Sequence, residues 1–178
     1  FYISGHGLGH ASRDIEVLNA FALRRPGTRL LVRTSAPRWL FDLACRAPIV
    51  FEPVEVDTGV VQLDSLSLDV DETARRAASF HATFEDRVAA EAAWLQREHV
   101  DIVVGDIPAL AFAAAHRAGL PSVAIANFTW DWIYADYPAF EALAPGVVAQ
   151  IGACYRLATR TLRLPLHGGF ETMAATLE

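Results

Sequence analysis

The chain has 178 residues, of which 53% are hydrophobic and 20% charged, which suits one globular domain with a sizeable core and excludes a disordered chain. The net charge of −6 argues against nucleic acid as a partner. All 15 basic residues are arginine, so a lysine Schiff base and a P-loop lysine are excluded.

Cys45 and Cys154 are the only cysteines. They have no metal-ligand spacing and make no disulfide framework, so free thiols in a reducing compartment are expected. No run of 18 or more uncharged apolar residues is present, so no transmembrane helix is expected. No signal peptide is read, and a cytoplasmic location is expected. The sequence opens at Phe1, within a strand pattern and without Met, which reads as part of a longer protein.

In chain order, residues 1–4 predict a first strand, 11–25 a helix stopped by Pro26-Gly27, and 29–34 a second strand. Residues 36–46 predict a helix with Pro37 in its first turn, and 49–54 a third strand. A polar loop runs from Asp57 to Ser67. Residues 71–98 predict one long helix, with Phe84, Val88, Ala92 and Leu95 on a single face and Asp69, Asp71 and Glu72 as an acidic start. Then come a buried-type strand at 101–105 ending on Asp106, a helix over 109–118 closed by Gly119, and a strand at 122–126. An aromatic-rich stretch spans 127–137, a helix is predicted over 146–158 and a last strand over 161–164. His167-Gly168-Gly169 is the one hinge candidate. Strands separated by helical crossovers imply an α/β fold, a Rossmann-like, doubly wound parallel sheet with helices on both faces.

The most informative segment is the turn Gly5-His6-Gly7-Leu8-Gly9-His10 between the first strand and first helix. Glycines permit positive φ and close backbone approach to a ligand, and a following helix start favours an anion. The third glycine falls one place early for the dinucleotide fingerprint. Arg33, Thr34 and Ser35 stand where an acid would hold a ribose hydroxyl, so bound NAD is not expected. A histidine here suits general-base work.

Asp106 has two readings. At the carboxyl edge of the sheet it orients a histidine delivered by the first strand. Alternatively it caps the helix beginning near Pro108. Trp130, Trp132, Tyr134 and Tyr137 either wall a sugar or lipid acceptor or pack in the core, the latter favoured for Trp132, Ile133 and Tyr137. Asn127 and Asp131, polar at a strand exit, are better site candidates. His81, His99 and His116 read as surface or satisfied histidines.

Together, residues 5–13, the Asp101–Asp106 segment and the 127–137 segment resemble the amino-terminal lobe of glycosyltransferases with two Rossmann-like lobes, the GT-B fold. The likeness is strongest to the glycosyltransferase-like region of bacterial proteins and of plant L-arabinokinase, where it precedes a kinase domain. It implies an amino-terminal, acceptor-side lobe over residues 1–165 and, over 166–178, the start of a connection to a carboxy-terminal donor-binding or kinase domain. His10 takes the place of the base that deprotonates an acceptor hydroxyl, and Asp106 that of the aspartate steadying it. The likeness implies that Gly7 and Gly9 let acceptor and donor phosphates approach the backbone; with Gly5, His6, Asn127 and Asp131, read from the residues themselves, they are the candidate substrate-binding residues. The implied reaction is inverting transfer from a UDP- or similar nucleotide-sugar donor to a small-molecule or glycan acceptor, with no metal and no cofactor beyond the donor; a peripheral membrane acceptor is compatible. The lobe alone is expected to be inactive. The alternatives are the leading domain of a sugar kinase, a nucleotide-sugar epimerase and a non-catalytic ligand-binding lobe.

Overall fold

The computed structural model describes residues 1–176. In chain order its elements are β1 (Tyr2–Ile3), α1 (Gly9–Arg24), β2 (Leu30–Thr34), α2 (Arg38–Ala44), β3 (Ile49–Pro53), β4 (Val61–Gln62), β5 (Leu68–Asp69), α3 (Val70–Ala82), α4 (Phe84–Arg97), β6 (Val103–Asp106), α5 (Ala109–Ala118), β7 (Ser122–Ala126), α6 (Trp130–Ala135), α7 (Ala139–Leu143), α8 (Val147–Tyr155), β8 (Arg160–Arg163) and a closing 3₁₀ turn, Glu171–Thr176.

Six strands form one sheet in the order β3-β2-β1-β6-β7-β8, all neighbours parallel. The β4–β5 hairpin stands apart from it. Without that hairpin the strand order is 3-2-1-4-5-6, the doubly wound arrangement whose ligand crevice opens beyond the carboxyl ends of the strands, where the chain reverses direction across the sheet. Here that point lies between β1 and β6, paired Ile3 to Asp106.

Alternate residues of β1 feed opposite faces. Ile3 packs with Ile15, Leu18, Val32 and Phe41 under α1 and α2. Tyr2 packs with Trp94, Leu95, Val103 and Ala111 under α4 and α5. A third cluster joins Phe80, Phe84, Phe112, Trp130, Tyr134, Tyr155, Phe170 and Met173. The segment after Pro165 thus returns to the core through Phe170 and Met173, 3% and 1% exposed. Cys154 is buried and Cys45 half-buried, both free; burial pushes the Cys154 thiol up to about 12.

Several boundaries differ from the sequence expectations. The helix predicted over 71–98 is broken at Thr83, whose φ of −115° and ψ of 20° leave the helical region. The apolar period continues through the break, but α4 lies along α5 while α3 packs on α7. The expected loop at 57–67 contains one strand of the hairpin, with Val61 opposite Asp69. Asp69 is the N-cap of α3, its carboxylate accepting from the Glu72 amide at 2.8 Å. Pro37 and Pro108 are the N-cap residues of α2 and α5 rather than first-turn residues. The expected hinge glycines are packed: an added Cβ on Gly168 or Gly169 would come within 2.5 or 2.8 Å of Trp132.

Candidate functional site

The first strand runs into Ser4, whose amide donates to the Asp106 carbonyl at 2.7 Å. The turn then lifts the chain into α1. Gly7 carries φ +60°, the left-handed conformation that favours glycine. Gly5 has a packing reason, since a Cβ there would collide with Ser35. Around Gly7 and Gly9 a Cβ would meet nothing within 4 Å, so that side of the turn is open. The helix starts at Gly9, two residues before the expected start, with Leu8 as N-cap and no side-chain cap on its first amides. His10 therefore stands in the first turn of α1 rather than at the end of the loop.

This placement brings His10 against Asp106. Imidazole Nδ1 lies 2.9 Å from Asp106 Oδ1, His10 is 6% exposed and Asp106 1%. The capping reading of Asp106 does not hold, because α5 has no side-chain cap and the Asp106 carboxylate turns to α1 instead. Arg13 completes the cluster one helical turn after His10. Its Nε donates to Asp106 Oδ2 at 2.9 Å, and its Nη2 donates to Oδ2 and Oδ1 at 2.6 and 2.7 Å. Its Nη1 donates to Asn127 Oδ1 at 3.2 Å. Arg13 Nη2 also lies 3.3 Å from His10 Nδ1. A guanidinium only donates, so the shorter, charge-assisted contact with Asp106 decides the tautomer: Nδ1 carries hydrogen and Nε2 keeps a lone pair.

Aromatic rings fix the imidazole plane. Phe128 meets it edge-on at 5.4 Å and Trp130 is tilted at 6.2 Å. The Trp130 indole N–H donates to Asp57 Oδ2 at 2.9 Å. Burial raises the Asp57 carboxyl above its ordinary range, opposed by the Ser4 hydroxyl, this indole, the His10 charge and the Gly5 amide. Asp14, fully buried on the next turn of α1, makes no side-chain hydrogen bond among the described residues. Burial and then the Asp106 charge raise its carboxyl well above the usual range, against Arg13 and the amino terminus.

His6 turns the other way. Its ring meets Trp130 edge-on at 5.5 Å, and the Val60 amide donates to its Nδ1 at 3.4 Å. Burial lowers its pKa, and the His10 charge adds to this. His6 lies over Gly59, where φ is +59° and an added Cβ would come 2.5 Å from the His6 Cβ. We expect Gly59→Ala to cost about 1–3 kcal/mol in thermal unfolding, through both strain and collision. Gly27→Ala is the comparison, with φ +87° and open space around the added carbon; strain alone there costs about 1 kcal/mol. Equal losses for the two would show that His6 yields without resistance.

Beside the turn, Gly5, His6 and Gly7 form one wall of an open cleft of about 420 Å3 that continues over Asp57, the hairpin and α3. Gly5, His6, Gly7, Gly9, His10, Asp106 and Asn127 thus gather at one edge of the sheet. Asp131 does not join them: its Oδ2 accepts from Thr172 at 3.0 Å, facing α8 and the 3₁₀ turn. The aromatic expectation holds for Ile133 and Tyr137, which pack against the core, and fails for Trp132. Trp130 and Tyr134 are core residues, 3% and 2% exposed, whereas Trp132 is 42% exposed. Arg13 and Asp57 were not among the expected site residues. The i, i+3 spacing of His10 and Arg13 on one helix face is a signal for the former; Asp57, in a polar loop, carries none. His81 is satisfied by Gln150 at 2.8 Å and stacks on Phe84.

No protein-family model matches the chain. L-arabinokinase of Arabidopsis thaliana is 35% identical over an alignment 178 residues long that covers 93% of this chain and 16% of that protein. The chain thus corresponds to about a sixth of that relative's length. Among solved structures, Acinetobacter baumannii MurG superposes with a TM-score of 0.52 at 19% identity, covering 94% of this chain and 42% of MurG. A putative UDP-N-acetylglucosamine 2-epimerase from Listeria monocytogenes gives 0.49 at 13% identity, covering 99% and 43%. The fold is that of one Rossmann-like lobe of the GT-B type, resembling the MurG lobe. No described helix is long and apolar enough to cross a membrane.

Proposed function

We propose that this chain is the acceptor-side lobe of an inverting, metal-independent glycosyltransferase that uses a nucleotide-sugar donor, with His10 as general base and Asp106 as its orienting partner. The observation that carries this reading is the 2.9 Å contact between His10 Nδ1 and Asp106 Oδ1 at the sheet's reversal point, beside an open cleft. With Nδ1–H held by Asp106, Nε2 is left to accept a proton from an acceptor hydroxyl. The acceptor oxygen then forms its bond to the anomeric carbon as the bond to the nucleoside diphosphate breaks. The proton stays on His10, and the imidazolium is steadied by the Asp106 carboxylate that Arg13 holds in place. The open face at Gly7 and Gly9 and the uncapped amides of α1 suit close approach of a donor phosphate. A carboxy-terminal domain would bring the donor, and the working protein is placed in the cytoplasm.

The test is sugar transfer by the intact protein from a panel of nucleotide sugars. His10→Ala is expected to lower turnover by about 10²–10⁴-fold, the usual contribution of a general base. Unchanged turnover would remove the base assignment. The match to L-arabinokinase favours a second reading, in which the lobe precedes a sugar-kinase domain. Sugar phosphorylation by the intact protein, with no donor consumed, would select it. Ligand binding without either reaction would select a non-catalytic lobe.

A further inference from the structure

The cleft beside the glycine turn has a chemistry of its own. Its volume of about 420 Å3 lies within the range of small-ligand sites. Ser35 and Ser79 bring hydroxyls to it and Gln62 an amide, each able both to donate and to accept. Its cations are already matched. Arg87 Nη2 donates to Glu55 at 3.4 Å, and Arg76 Nε donates to Glu72 at 2.9 Å. Asp57, on the floor, is raised toward its neutral form by burial. A phosphorylated ligand would therefore find guanidinium groups whose charge is already offset by neighbouring carboxylates.

Apolar surface is equally scarce. Val60 and Phe80 are the apolar side chains of the lining, and the Arg87 guanidinium covers the Phe80 ring at 4.1 Å from its centroid. A lipid chain would have no wall to lie on. What the lining matches is a compact molecule that is uncharged and carries several hydroxyls, each meeting a group that donates and accepts.

We propose that this cleft seats a neutral polyhydroxylated acceptor, a free sugar or polyol, held by Ser35, Gln62, Ser79 and the Arg87–Glu55 pair, with the reacting hydroxyl toward the glycine turn. This rests on the acceptor-side reading of the lobe, and it selects against phosphorylated and lipid-linked acceptors.

The experiment is saturation-transfer NMR on the intact protein without donor. The probes are free pentoses, free hexoses and inositol, set against the 1-phosphates of the same sugars and farnesyl phosphate. At least one neutral polyol is expected to bind in the millimolar range. Ser79 is exposed on α3, so Ser79→Trp should fold and obstruct the cleft, weakening that binding by about tenfold or more. Gln62→Ala, also at an exposed position, should weaken it by several-fold. Absence of binding by every neutral probe overturns the proposal. So does tighter binding of a sugar phosphate or farnesyl phosphate, or binding that Ser79→Trp leaves unchanged. The two readings fail separately. A protein that binds the polyol but transfers no sugar keeps this inference and loses the glycosyltransferase reading. Transfer to a phosphorylated or lipid acceptor does the reverse.

Discussion

Replacing Asp106 by asparagine is expected to lower turnover by about 10²–10⁴-fold and to destabilise the fold by about 2–3 kcal/mol. The reason is the donor count around one buried carboxylate. Arg13 Nε and Nη2 approach Oδ2 at 2.9 and 2.6 Å, while Arg13 Nη2 and His10 Nδ1 approach Oδ1 at 2.7 and 2.9 Å. A carboxylate accepts on both oxygens; an amide accepts on one and donates on the other. With the asparagine NH2 at the Oδ2 position, two donors of Arg13 face two more. With it at the Oδ1 position, the amide donates to His10 Nδ1, hydrogen moves to Nε2, and the lone pair a base needs is gone. The stability loss falls below the ~3–5 kcal/mol of a fully buried broken pair because 28% of the Arg13 side chain stays exposed and can be rehydrated.

Turnover and thermal unfolding of the same variant check both parts. For a domain of this size the unfolding midpoint should fall by roughly 4–12 °C. On the proposed mechanism His10 and Asp106 act as a unit, so the double variant His10→Ala/Asp106→Asn should be little slower than either single one. Additive losses, or normal turnover in Asp106→Asn, would break the link between the two residues. An unshifted midpoint would mean that the Arg13 pair does not support the fold.

The parallel sheet and the residues at its carboxyl edge were legible because their signals are local. Ala109–Ala118 and Ser122–Ala126 match the expected spans, and Gly119 closes the helix at φ +73°. The juxtaposition of His10 with Asp106, 96 residues apart, followed from one further rule: strands alternating with helices deliver their carboxyl ends to one edge. What escaped was set by tertiary packing. The period of Phe80, Phe84 and Val88 runs unbroken across Thr83, since both helices bury the same kind of face, against different partners. Leu8, Gly9 and His10 give no cap to mark the start of α1, so the sequence pattern places the helix start two residues late. Trp130 and Tyr134 were indistinguishable from Trp132 by composition. Their roles are set by hydrogen bonds to a distant loop: Trp130 donates to Asp57, and Tyr134 to the Gly59 carbonyl at 2.6 Å. Asp131 looked like a site residue because it is polar and near a strand end, but α6 turns it toward Thr172.

A second large effect is expected away from the site. Glu91 on α4 is 6% exposed and joins two strands to the helix layer. Its Oε2 accepts from the Tyr2 hydroxyl of β1 at 2.6 Å, and its Oε1 accepts from Arg33 Nη2 of β2 at 2.6 Å. Arg33 in turn donates to Glu52 of β3 and lies over the Trp94 ring at 4.1 Å. Burial and the Glu91 charge raise the Tyr2 hydroxyl, which stays a donor throughout the accessible pH range. Glu91→Ala leaves that hydroxyl without its partner. It also leaves a guanidinium, 8% exposed, to Glu52, whose side chain is 38% exposed. The expected loss is about 3–5 kcal/mol, the cost of unpairing a buried charge, or roughly 6–20 °C in the unfolding midpoint. Glu91→Gln keeps the shape and the Tyr2 acceptor, so it should lose less. Unlike Asp106→Asn, Glu91→Ala should keep its transfer rate per folded molecule below the midpoint, because none of these five residues touches the His10 cluster. A midpoint within one degree of the parent would show that Glu52 and Trp94 alone hold Arg33, and that the buried carboxylate is replaceable.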